Sequence, residues 1–123
     1  MLKEDDHKII EQSILLPMLL TILERDRMIF EQLPVKLKPP YLNLIEKTMK
    51  VVQKDLKDVK LKMKKGNMKA YEISRDSGFT GYMFVCRGFE EQHNYFNLNI
   101  RNKIEILLEH YLNKHSNAPT QKE

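Results

Sequence analysis

Lys47, Lys50, Lys54, Lys57 and Lys64 recur at steps of three, four, three and seven residues. On a helix that spacing lines up all five ammonium groups on one face. Lysine is a compact point charge that suits a phosphate but reads bases poorly, so such a face offers affinity for a nucleic-acid backbone rather than sequence specificity. A solvated lysine face is the plainer reading, because lysine-rich exposed helices are ordinary. Farther along, Lys69, Arg75 and Arg87 flank a segment with hairpin texture. Helices followed by a hairpin and another helix suggest a winged arrangement, with those three cations as wing contacts and Tyr71 or Tyr82 against the sugar-phosphate backbone. The lysine helix is longer than an ordinary recognition helix, and no crisp helix-turn-helix spacing accompanies it.

Other chemistry-bearing residues lead less far. Glu90 and His93 have the Glu-x-x-His spacing of carboxylate-bridged metal sites, but the second copy and further carboxylates that such sites need are missing, and a solvated helix start is the better reading. His110 and His115 are five apart rather than the four that put two ligands on one helical face. No metal and no cofactor are expected. Gly78-Phe79-Thr80-Gly81 has the spacing of the loop with which KH domains clamp RNA, yet it falls at an expected hairpin tip rather than between helices. Cys86, the only cysteine, sits in an apolar run without a histidine at a diagnostic distance and reads as an inert buried thiol. No motif brings an acid, a base and a nucleophile together, so no enzyme activity is expected.

The elements that must position these residues are more legible. Leu42, Ile45, Met49, Val52, Leu56, Val59 and Met63 alternate at three and four residues, an unbroken apolar seam at the heptad period. The spacing predicts one long helix over residues 41–64, its lysines on the side away from the seam. Leu42, Met49, Leu56 and Met63 take the a positions and Ile45, Val52 and Val59 the d positions, which disfavours a parallel two-stranded zipper. Leu44, Val51 and Leu61 broaden the apolar surface. Packing within the chain's own bundle is favoured, and self-association through the seam is the other reading.

Before this helix, Asp5 and Asp6 suit a helix start, and Pro17 predicts a kink or a tight break between helices near 6–16 and 18–32. Three prolines between Leu33 and Pro40 are connector chemistry, with Pro40 placed to open the seam helix. Gly66-Asn67 ends it, and Lys60, Lys62, Lys64 and Lys65 complement its dipole. Residues 68–74 and 80–87 read as two strands of a β-hairpin leaning on the helices. Ile100, Ile104, Leu107 and Tyr111 mark a last amphipathic helix, with Asn94 and Asn97 as candidate caps.

At 123 residues the chain has the size of one domain, expected over 1–115 with a flexible tail over 116–123. The fold class expected is α+β, predominantly helical, with four or five helices around a small hairpin. The longest apolar stretch, 14–23, is too short to span a bilayer, so no membrane partner is expected, and one cysteine without a secretory leader points to the cytoplasm. Net charge is +4, but eleven lysines against three carboxylates give residues 36–69 a charge of +8. That concentration favours a regulatory protein bound to a DNA or RNA backbone. A protein-interaction or inhibitor module using the seam or the hairpin edge is the second reading, and a homo-oligomer the third possibility.

Overall fold

The computed structural model describes residues 2–116. It is α+β: three helices, α1 (Glu4–Gln32), α2 (Lys38–Lys65) and α3 (Asn97–Ser116), and an antiparallel sheet of β1 (Met68–Arg75), β2 (Phe79–Cys86) and β3 (Phe89–Phe96) in the order β1-β2-β3. The four or five helices and the lone hairpin expected from sequence become three helices and a three-stranded meander. The expected tail lies, past Ser116, outside the described residues.

Both differences have physical causes. Pro17 does not split α1. Its missing N–H deprives the Ser13 carbonyl of a partner, a loss of about 3 kcal/mol in an exposed helix. Here Leu15, Leu16 and Leu19 are buried on either side of it, and fixing three leucines in the core outweighs that loss. The first turn carries Glu4, Asp5 and Asp6, with the Asp6 carboxylate accepting from the Lys3 N–H at 3.4 Å.

The third strand follows from Arg87 and Gly88, with φ of 50° and 87°. Two successive left-handed residues make the tight hairpin turn whose twist matches the flanking strands. Arginine is unusual at the first position, and two glutamates follow, so the segment 89–96 reads as a helix start until its alternation is noticed: Glu91, His93 and Tyr95 are half-buried, whereas Glu90, Gln92, Asn94 and Phe96 are exposed. Glu90 and His93 therefore point to opposite faces of a strand, and the solvated helix start expected there is replaced by β3. The hairpin of β1 and β2 stands within a residue of its expected bounds, with a bulge between Glu72 and Ser74.

The helices cover one face of the sheet. Tyr82 and Phe84 of β2 join Ile10, Leu16, Leu19, Val52, Val59, Ile100 and Ile104 in a continuous core, with Ala70 and Tyr95 packed against it from the neighbouring strands. The seam of α2 belongs to this core: Val52 and Val59 are buried, and Ile45, Met49, Leu56 and Met63 pack against it. The most buried line runs slightly to one side, however, because Thr48 is fully buried with its hydroxyl on the Leu44 carbonyl at 2.7 Å. Two helices cover α2, and a face shared by two neighbours is wider than a two-stranded seam. Tyrosine hydroxyls tie the layers, Tyr95 to Glu11 at 2.8 Å and Tyr111 to Asp55 at 2.6 Å. Asn97, one of the two expected caps, opens α3: it accepts from the Thr80 hydroxyl and donates to the Asp76 carbonyl, fastening the β1–β2 loop to the helix. Among the described residues no helix is long and apolar enough to cross a membrane.

Candidate nucleic-acid interface

Because the apolar edge of α2 is turned into the core, its opposite side is free to carry charge. Lys47, Lys50, Lys54, Lys57 and Lys64 are all exposed there. From Lys47 to Lys64 the stripe runs about 26 Å along the helix axis, roughly three-quarters of a duplex turn. Only Lys54 has a carboxylate partner among the described residues, Asp58 at a loose 3.9 Å. Leu61, exposed, occupies the place between Lys57 and Lys64. The five ammonium groups thus stand in water in one line, as the spacing predicts.

The three cations beyond the helix do not extend this line equally. Lys69 follows α2 after the Gly66–Asn67 turn, where Asn67 has φ of 52°, and it lies on the sheet face turned away from the helices. Arg87 is held next to it, since its N–H donates to the Asn67 carbonyl at 2.9 Å. Its guanidinium is engaged with Asp6 at 3.0 Å. Arg75 stands at the far end of β1 and forms a two-pronged pair with Glu72, at 2.7 and 3.1 Å. An arginine already paired with a carboxylate has little to give a phosphate. Tyr82 is buried in the core and cannot serve as a backbone contact, whereas Tyr71 is exposed. The wing expected from sequence is accordingly reduced to Lys69 and Tyr71.

The sheet and the first turn of α1 form a polar cluster that spacing did not reveal. The rings of His7 and His93 meet edge to face with centroids 4.7 Å apart, both against Phe84, and His93 Nε2 lies 3.2 Å from Glu91. The other Glu91 oxygen accepts from the Leu2 N–H at 3.1 Å. This bond lowers the Glu91 pKa against the opposing effect of burial, helped by His93. Asp6 is the hub beside it. Burial raises its pKa, but the Arg87 and Lys3 hydrogen bonds and the Arg87 charge bring it below the ordinary value. More than seventy residues separate the two sides of this cluster, so only the fold brings them together. Gly78-Phe79-Thr80-Gly81 runs from a turn into β2, with Thr80 buried, rather than between two helices. At Gly81 a Cβ would stand 2.6 Å from Ser74 Oγ and 2.8 Å from Asn94 Oδ1, so both side chains would have to turn aside to admit one.

A family model described as YhjD protein matches residues 1–116. The chain belongs to the YhjD protein family. It is 42% identical over 111 residues to a relative from Bacillus subtilis (strain 168) named "Uncharacterized protein YhjD", covering 90% of this chain and 92% of the relative. No solved structure matches. Membership in the YhjD family brings no ligand with it, so the chemistry of the site rests on the geometry above.

Proposed function

We propose that this YhjD-family protein is a non-enzymatic, cytoplasmic regulator that binds the phosphate backbone of a nucleic acid through the exposed lysine stripe of α2. The observation that supports it is the line of five exposed ammonium groups with one loose carboxylate partner among the described residues, set on a rigid helix whose other side is anchored in the core. Lysines so placed release counterions from a polyanion without disturbing the fold. Lys69 continues the charge onto the sheet, while Arg75 and Arg87 serve the structure through Glu72 and Asp6.

The test is a salt titration of binding to duplex DNA and to RNA. The unmodified protein binds both with little sequence preference, and affinity falls steeply with salt. Replacing Lys47, Lys50, Lys54 and Lys57 with Gln leaves the circular dichroism spectrum and melting unchanged and weakens binding alike on unrelated sequences. It also shrinks the slope of log K against log salt by about 0.9 for each duplex phosphate that is no longer neutralised. Absence of salt-sensitive binding at low ionic strength overturns the proposal. In that event a protein-interaction module takes its place. The apolar end of the α1–α2 hairpin, where Met28, Ile29, Leu37 and Tyr41 are more than half exposed, supports that second reading.

A further inference from the structure

The helices cover only one face of the sheet. The face turned away from them presents Tyr71, Ile73, Phe79 and Phe96, all exposed, around Met83 and Val85. Ile73 belongs to this face because its Cγ1 lies over Gly81, 3.5 Å from where a Cβ would stand. In the three strands, the cross-strand register allots this face two charged residues, Lys69 and Glu90. They share one row, with Lys69 opposite Val85 and Val85 opposite Glu90, so they stand about 9.6 Å apart on the two edge strands. Along the middle row Tyr71, Met83 and Gln92 are opposed, and at the far end Phe79 and Phe96 are in ring contact with centroids 4.4 Å apart.

This arrangement is complementary to itself. A two-fold axis lying between two such faces and parallel to the strands sets β1 of one copy over β3 of the other while keeping each row in place. Lys69 of each copy then meets Glu90 of the second copy, and both pairs form at once. In the Phe79 row, the incoming Phe96 lands beside Phe79, past the end of β1, so four rings make one continuous aromatic row. An axis perpendicular to the strands would instead put Lys69 over the bulged end of β1 and Glu90 over Phe96, where no opposite charge waits. The face carries no net charge, so the positive charge of the chain does not oppose contact there.

We infer that the uncovered sheet face is a self-association surface on which two copies of this chain pack face to face, with Lys69 and Glu90 paired between copies. Three strands of eight residues offer roughly 400 Å² per copy, about half of what a standard interface buries on each side, so the dimer is weak and reversible. It rests on the sheet face and not on the lysine stripe of α2, and shares with the nucleic-acid reading only Lys69 and Tyr71.

Sedimentation equilibrium of the full chain up to roughly 1 mM tests the inference, against the affinity range expected of a small interface. A monomer–dimer equilibrium is expected. Lys69→Glu alone and Glu90→Lys alone each weaken it about tenfold or more, because every reversal turns both pairs into like charges. An equimolar mixture of the two single variants associates as the unmodified chain does, because each copy then supplies the charge that the other has given up. Both side chains are exposed, so folding is unaffected, and Tyr71→Glu gives an independent disruption of the same face. A chain that stays monomeric throughout overturns the inference. So does a mixture that fails to associate, which would confine the Lys69–Glu90 interaction to a single copy. A dimer that ignores all three substitutions but disappears on Leu37→Glu would move the interface to the α1–α2 end and equally overturn it.

Discussion

Cys86 shows how the fold settles the chemistry of one residue. Its thiol is 2% exposed, and it donates to the Asp6 carboxylate over 3.7 Å. Burial raises its pKa, and the neighbouring negative charge of Asp6 raises it further. Both effects disfavour the thiolate, which is the reactive form. A thiol reagent at neutral pH is expected to label native protein at least about a hundredfold more slowly than urea-unfolded protein, measured by mass shift against time. Labelling at the unfolded rate would mean that β2 is open to solvent. The burial of the thiol was legible from the apolar residues around it. Its hydrogen bond was not, because Asp6 lies eighty positions away and nothing in local spacing connects the two.

Between elements, the seam of α2 is the most informative. Leu56, half-buried against the core, is expected to cost about 2 kcal/mol when replaced by Ala, the low end for such a truncation. Leu61 on the exposed side is expected to cost no more than about 0.5 kcal/mol, both read from denaturant midpoints. Equal costs would mean that α2 is rotated about its axis, with Leu56 no deeper than Leu61. The seam, the proline-rich connector, the Gly66–Asn67 stop and the first hairpin were all readable, since each depends on short-range periodicity or turn chemistry. Pro17 misled because backbone propensity is local, whereas the leucines that hold α1 together are buried by distant elements. The third strand was hidden by its glutamates and by an arginine in a turn position where asparagine or aspartate is usual. Of the candidate interface, the α2 stripe was legible from the spacing of its lysines. The engagement of Arg75 and Arg87 was not, because pairing with Glu72 and Asp6 is settled by where the strands end.

Across the whole molecule, the titrating groups bound the pH range of greatest stability. Asp6 and Glu91 have pKa values below their ordinary 3.8 and 4.5, so the stability they supply is complete above those values and is lost as pH falls through the lower folded-state values. Tyr82, Tyr95 and Tyr111 are raised above 10.0, first by burial and then by Glu72, Glu11 and Asp55 respectively. Their share is intact below 10.0 and drains as pH climbs beyond it. Cys86, raised from 9.0, starts to lose its share already above 9.0, so melting temperature plotted against pH should be level between 4.5 and 9.0 and fall on both sides. Arg87→Gln should blunt the acid limb and Tyr95→Phe with Tyr111→Phe the alkaline one, and unchanged limbs would remove these groups from the pH response. The closure of α1 by Asp6, Glu11 and Leu2 against β2, the following turn and β3 has a consequence in time. α1 is made first and meets α2 next, yet its hydrogen-bond partners on the sheet side, Cys86, Arg87 and Tyr95, come more than fifty residues past its end at Gln32. At about 5 to 20 residues per second, the sheet-facing side of the nascent α1–α2 pair waits several seconds on the ribosome uncovered, a substrate for chaperones before it is part of a core.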